Sequence, residues 1–317
     1  MNLEIVGAES MGVRSMCCLL TFQGHRIIID PGVSLGYTRK GLLPHPVQIA
    51  EGRSVREKIV QQLENATDVV FSHFHGDHVP LLDANPYQLS IESLPYRFRE
   101  LRCWSKSGDG LSSKMSRRFS ELSKLLGPNL QVAEGKTEGP LAFSRAVPHG
   151  ELNSRLGTLM MTRIEVDKQV FVHASDIQLL HAPTVEQVIN WQPDIVLAAG
   201  PPLYLGQLGK AERDMAWDSA LQLASNIDTV ILDHHLMRST EGMLWLDWLS
   251  EAVSKKVYCA ADFMGRPRQL LEARRTQLYE KMHVPAGWHE AYAKGLADID
   301  AYFDSIGCSD WHNIDMC

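Results

Sequence analysis

The segment Ser72-His73-Phe74-His75-Gly76-Asp77-His78 constrains this chain more than any other part of it. It follows directly on the apolar run Thr67–Ser72 (TDVVFS). A continuous apolar run of strand length belongs to a sheet that is covered on both faces. The chain must therefore build layers on either side of that strand. Alternation at the strand end points His73 and His75 the same way, so two imidazoles can reach one ion. Gly76 permits a sharp turn, after which Asp77 and His78 can fold back toward a second ion. Imidazole and carboxylate donors suit Zn²⁺, Mn²⁺ or Fe²⁺.

The rest of the chain supplies such layers. Three strands open it, LEIVG, SMCCLLTF and HRIIID, with Gln23-Gly24 as a tight hairpin turn between the last two. Pro31-Gly32 stops the third. A loop runs through Pro44-His45-Pro46, and Ser54 to Leu63 reads as an amphipathic helix with Val55, Ile59 and Leu63 on one face. From Leu81 to Leu126 the pattern is basic and helix-like, which predicts a helical insertion at about 81–127. Strand patterns return at LAFSRAV, GTLMMTRIEV and QVFVHAS. Helix and strand then alternate: VEQVIN before DIVLAA, AWDSALQLAS before DTVILD, MLWLDWLSEAV before KKVYCA. Two long helices are expected at the end, in RPRQLLEARRTQLYEKM and GWHEAYAKGLADIDAYFDS. Two strand-rich segments with interleaved helices predict one α/β domain over residues 1–317, a four-layer αββα sandwich.

Composition narrows the partners. With 31 Lys+Arg against 38 Asp+Glu the net charge is −7, so there is no general attraction to nucleic acid or anionic membrane. A small-molecule or nucleotide-like substrate fits better than a long nucleic acid; oligomeric state is left open. The start, MNLEIVGAES, has no basic and apolar leader pattern, and no apolar run approaches a membrane span. The six cysteines (Cys17, Cys18, Cys103, Cys259, Cys308 and Cys317) contain no CxxC and read as reduced thiols of a cytoplasmic protein.

The H-x-H-x-D-H segment resembles the signature of the metallo-β-lactamase superfamily, and four further motifs follow the family's order. These are Asp30 in IIIDPG, His149 in AVPHG, Asp176 in VFVHASD, and His234 or His235 in VILDHH. SxGVRS, IDPGVSLG, PHP, the DHH step and FMGRP-LLEARRxxLYE are also similar to the UPF0282 family of predicted metallo-hydrolases, a likeness that carries no known substrate. The resemblance implies a metallo-β-lactamase-type fold and a pair of divalent ions, zinc first, with manganese or iron as alternatives. It implies that His73, His75 and His149 bind one ion, and that Asp77, His78 and the late histidine bind the other. Asp176 would bridge them, and Asp30 would hold a ligand by hydrogen bond. Of the late pair His234 is favoured, because it sits where His73 sits after Ser72. The implied activity is hydrolysis by a metal-bridging hydroxide, with Asp77 orienting the water or shuttling a proton.

Substrate class is less constrained. Paired ions suit in-line displacement at phosphorus, and Arg14, in the loop GAESMGVRS, is a candidate for holding an anionic group. A phosphoester or phosphodiester is therefore the first expectation. A nuclease would need the basic stretch of Arg97, Arg99, Arg102, Lys106, Lys114, Arg117 and Arg118 at the site. Lactone, thioester and β-lactam hydrolysis stay open, as does a non-heme iron dioxygenase. A diiron oxidoreductase typically has Glu where this chain has His75. His25, His45, His173, His181, His283, His289 and His312 read as ordinary structural histidines.

Overall fold

The computed structural model describes residues 1–152 and 154–303, so Cys308, Cys317 and His312 lie outside the described residues. The first sheet holds β1 (Asn2–Ala8), β2 (Met16–Phe22), β3 (His25–Ile29), β4 (Asp68–Phe71), β5 (Arg102–Ser105) and β6 (Leu130–Val132), in that spatial order. Pairing is antiparallel from β1 to β3 and parallel from β3 to β6. At the β2–β3 hairpin Gln23 and Gly24 both take positive φ, +45° and +83°, the twist that matches flanking strands.

Strict alternation covers both faces of this sheet. Cys18 and Leu20 of β2, Ile27 and Ile29 of β3, and Val70 of β4 face the core between the sheets. Their neighbours Cys17, Leu19, Ile28, Val69 and Phe71 face α1 (Pro46–Leu63) and α2 (Ser113–Leu126) on the outside. Helix α1 begins at Pro46, well before the expected Ser54. The His45 ring accepts from Val47 N, Gln48 caps back to His45 N, and Pro46 supplies a preset φ. His45 is thus a helix cap.

The second sheet runs β14-β13-β12-β11-β8-β7. Its strands are β7 (Thr137–Glu138), β8 (Leu141–Phe143), β11 (Thr162–Val166), β12 (Gln169–Ser175), β13 (Ile195–Ala198) and β14 (Thr229–Leu232). A small ribbon of β9 (Val147–Pro148) and β10 (Thr158–Leu159) stands apart. Helices α3 (Ala182–Asn190), α4 (Lys210–Asn226) and α5 (Thr240–Ala252) share this sheet's apolar core through Val185, Val188, Ala220, Leu223, Leu246 and Leu249. The layers are those of an αββα sandwich.

Two expectations are corrected. The stretch at 81–127 is not a helical insertion. It contributes β5, which pairs with both β4 and β6 inside the first sheet, and α2, which covers that sheet. The signal was obscured because Arg102 and Ser105 flank only two apolar residues. The terminal stretches are not two long helices either. They form α6 (Ala260–Phe263), α7 (Arg275–Lys281), α8 (Trp288–Ala293) and α9 (Asp300–Phe303), interrupted at Gly265, Gly287 and Gly295, all at positive φ. The KKVYCA run gives only one isolated bridge, from Tyr258 to Ile231. Among the described residues no helix is long and apolar enough to cross a membrane.

Candidate metal centre

Parallel strands end along one rim, and each end delivers a polar residue there. Asp30 follows β3, Ser72-His73 follows β4, Asp176 follows β12 and Asp233-His234-His235 follows β14. His149 comes from the ribbon, just after β9. Ligand sites in open α/β sheets lie outside such carboxyl ends. The backbone is forced at this rim: Asp30, Ser175 and His234 have φ of +51°, +53° and +20°. A left-handed φ in a non-glycine residue is uncommon and collects at functional positions. Gly32 lies so close to the backbone of His78 and Val79 that a Cβ there would sit 2.3 Å from it. Any side chain would displace the loop carrying His78.

Five imidazoles converge on one carboxylate. Asp176 Oδ2 lies 2.9 Å from His149 Nε2, 3.3 Å from His235 Nε2, 3.6 Å from His234 Nε2 and 3.7 Å from His73 Nε2. Its Oδ1 lies 3.2 Å from His78 Nε2. His73 Nε2 and His75 Nδ1 are 2.9 Å apart, and Asp77 Oδ2 is 3.4 Å from His234 Nε2. Donor atoms close enough to share an ion fall into overlapping groups: His73, His75, His149 and Asp176; Asp77, His78 and His234; and Asp176, His234 and His235.

The surrounding bonds aim the rings. Asp30 accepts from Ser72 N at 2.8 Å and from Ser72 Oγ at 2.6 Å, and its Oδ2 is 2.8 Å from His78 Nδ1. Ser72 Oγ in turn lies 2.9 Å from His73 Nδ1. With Nδ1–H of each ring directed to these oxygens, the Nε2 lone pairs of His73 and His78 face the cluster. Burial works against a charge on His78, yet Asp176 and Asp30 outweigh it and hold its pKa well above the usual value. Burial likewise opposes the charge on Asp176, and His78, His234 and His149 overcome it, holding the carboxyl well below its usual range.

His78 Nε2, His149 Nε2, His235 Nε2 and Asp176 Oδ1 are buried and make no hydrogen bond. Leaving one buried polar atom unpaired costs about 1–3 kcal/mol. Four such atoms pointing at one another would be a severe defect in an ordinary core. Unpaired donors of this type are what a divalent cation satisfies, so the residues fit bound metal.

Above the cluster lies a cavity of about 660 Å³, whose lining includes His75, Asp77, His149, Asp176 and His235. Arg14, Arg155, Tyr204 and Arg238 also line it, and Leu156, Leu180, Pro202, Leu205 and Leu208 are its apolar lining residues. Arg14 therefore reaches the cavity, but its Nε and Nη2 both donate to Glu272, at 2.6 and 2.5 Å. Gly36 lets that pair pack, since a Cβ there would lie 2.3 Å from Arg14 Nη2. The basic stretch at 97–118 does not line the cavity. Arg102 pairs with Asp68, Lys106 with Glu134, Arg117 with Asp83 and Glu121, and Arg118 donates to the Phe74 carbonyl. His173 is buried away from the cluster, its Nε2 on the Met16 carbonyl.

Sequence reasoning missed the groups behind the arginine side. Arg238, in the turn Leu236–Arg238 after His235, is buried and donates to Glu9 Oε2 and to Tyr204 Oη, both at 3.2 Å. Burial pushes the Glu9 carboxyl up to about 8, with Glu272 adding to the effect against Arg238 and Arg14. No motif marks these residues; only their nearness in the fold does.

No family model matches the chain. A UPF0282 protein of Methanosarcina mazei is 47% identical over 302 residues, covering 95% of this chain and 99% of its own length. The chain belongs to the UPF0282 family. A second UPF0282 protein, of Methanopyrus kandleri, is 33% identical over 88% of this chain and 99% of its own length. Among solved structures, Zn²⁺-bound PqqB of Methylobacterium extorquens is similar at 11% identity and a TM-score of 0.45, covering 82% of this chain and 98% of that one. A metal-dependent hydrolase of the β-lactamase superfamily is similar at 11% identity and a TM-score of 0.47, covering 81% and 94%.

Proposed function

We propose that this UPF0282 protein is a binuclear metal-dependent hydrolase acting on a phosphoester, with a phosphodiester the first choice. The convergence of five imidazoles on Asp176, with unpaired lone pairs among them, carries this reading. His73, His75 and His149 would hold one ion, Asp77, His78 and His234 the other, and Asp176 both. Two divalent ions supply an activated water near neutral pH and stabilise negative charge on the attacked group. The chain's own groups do the rest. Asp30, through Ser72 Oγ and His78 Nδ1, fixes the tautomer and tilt of two rings. Asp77, at the cavity floor, is the carboxylate placed to orient the attacking water and accept its proton. His235 faces the cavity with Nδ1 3.2 Å from Tyr204 Oη, and its unpaired Nε2, 3.3 Å from Asp176 Oδ2, makes it the alternative metal ligand to His234. The apolar lining excludes water from the reacting group.

Elemental analysis of protein never exposed to chelator should give about two ions per chain, zinc foremost. His234→Ala should lose about one of them, whereas His235→Ala should retain both. The reverse pattern would exchange the two roles, and one ion with no second site on titration would remove the binuclear mechanism. A parallel assay of zinc- or manganese-loaded enzyme should give a higher kcat/KM on bis-p-nitrophenyl phosphate than on a lactone, a thioester or a β-lactam. Equal or better turnover of an acyl ester would reject the phosphodiester. Iron as the resident metal, with iron-dependent oxygen uptake, would reject hydrolysis in favour of a dioxygenase.

A further inference from the structure

The buried guanidinium of Arg238 has more donors than its permanent partners use. Its Nε is taken by Glu9 and its Nη1 by Tyr204. Its Nη2 lies 2.6 Å from His234 Nε2 and 3.4 Å from Asp77 Oδ2. Both of those acceptors belong to the group that the proposed function assigns to an ion. A ring nitrogen has one lone pair and cannot give it to a cation and a guanidinium at once. With a cation on His234 Nε2, Arg238 Nη2 would lose its shortest contact and keep only the 3.4 Å approach to Asp77 Oδ2, so one of its two N–H groups would be left unpaired beside the cavity. A buried donor in that position needs an anionic oxygen.

Arg14 is less suited to the task. Both of the nitrogens described above are given to one carboxylate, Glu272, which ties the guanidinium down from one edge. Arg39 shares that same carboxylate, at 3.0 Å, and donates its Nη2 to the Arg238 carbonyl. Glu9 contacts Arg238 through a single oxygen, and its other oxygen, Oε1, is buried without a hydrogen bond. Arg238 is held rigidly from behind and underused in front.

We infer that Arg238, and not Arg14, is the residue that grips a non-bridging oxygen of the phosphodiester, through the Nη2 that metal loading releases. This rests on the metallohydrolase reading. No bond forms or breaks at Arg238; it holds charge.

The test uses metal-loaded full-length protein and two variants, Arg238→Gln and Arg238→Lys. The lysine variant keeps a cation for Glu9 but lacks the forked Nη2. For each, kcat/KM is measured on bis-p-nitrophenyl phosphate and on neutral p-nitrophenyl acetate in the same preparation. Their ratio does not depend on the fraction of protein that is folded. Losing a charge-assisted hydrogen bond should lower the diester-to-acetate ratio about 10- to 100-fold in both variants, with metal content by elemental analysis unchanged. Arg14→Gln should lower the ratio less than about threefold, since Nε and Nη2 of Arg14 are already committed to Glu272. An unchanged ratio for the Arg238 variants, or a larger drop for Arg14→Gln, overturns the inference. Calorimetric titration with inorganic phosphate separates this from failure of the hydrolase reading. If the wild type turns over neither ester, tight phosphate binding weakened about tenfold or more by Arg238→Lys still supports the anion grip. Phosphate binding that is absent, or equal in wild type and variant, rejects it.

Discussion

Asp176→Asn is expected to lower metal content from about two ions per chain to less than one and to reduce kcat/KM by roughly three orders of magnitude or more. The substitution keeps size and one carbonyl oxygen and removes only the charge. That charge lies within 3.7 Å of His73, His78, His149, His234 and His235. Without it, five buried imidazoles face one another with no shared anion, and the proposed pair of ions would lose a common ligand. Elemental analysis and steady-state kinetics on one preparation check this. Retention of both ions with near-normal turnover would show that the histidines bind metal without Asp176.

Glu272→Gln should lower stability substantially although it lies outside the metal cluster. The Glu272 carboxylate is 2% exposed and is the shared anion of Arg14 and Arg39, whose side chains are only 26% and 20% exposed. Removing one partner of a buried ion pair leaves uncompensated charge and costs about 3 kcal/mol or more. For a chain of this size that corresponds to a melting temperature lower by roughly 4–5 °C or more. Glu57→Gln, at an exposed pair with Arg53, should cost less than about 0.5 kcal/mol. Scanning calorimetry of the metal-loaded proteins compares the two. The same carboxylate gives a pH dependence. Burial opposes its charge, but Arg14 and Arg238 hold its folded pKa at about 2, against 4.5 when unperturbed. A depressed folded pKa stabilises above the unfolded value, so this contribution is intact above pH 4.5 and drains away as pH falls toward 2. Glu272→Gln should therefore flatten the acid limb of the stability profile. An unchanged acid limb would mean that other carboxylates set it.

Legibility followed the range over which the signal acts. The strands β2, β3 and β4 and the segment His73–His78 were readable because alternation and motif spacing are local. Asp30, His149, Asp176 and the late histidine pair were marked only by a family resemblance in motif order, since each is a single residue that ends or follows a strand pattern. The structure brings all of them to one rim. Strand β5 was hidden by its own brevity, and the first half of α1 by a histidine cap that looks like loop chemistry. The terminal helices failed for a different reason. The stretch from Arg266 to Arg274 has helical periodicity, but it is pulled out of a helix by tertiary bonds such as Gln269 N to the Ser10 carbonyl. Glu9, Arg238 and Glu272 were illegible because single charged residues in loops look solvated until the fold buries them together. Arg14 was noticed for its loop, yet nothing near it in the chain announces a partner 258 positions away.

That separation sets an order of events during synthesis. Every residue of the candidate donor set, from His73 to His235, leaves the ribosome before Gln269 and Glu272 do. Closing a loop of such length is entropically costly and comes late in folding. The donors can therefore converge before Glu272 reaches Arg14, and that cavity-lining guanidinium gains its carboxylate only when the C-terminal segment docks.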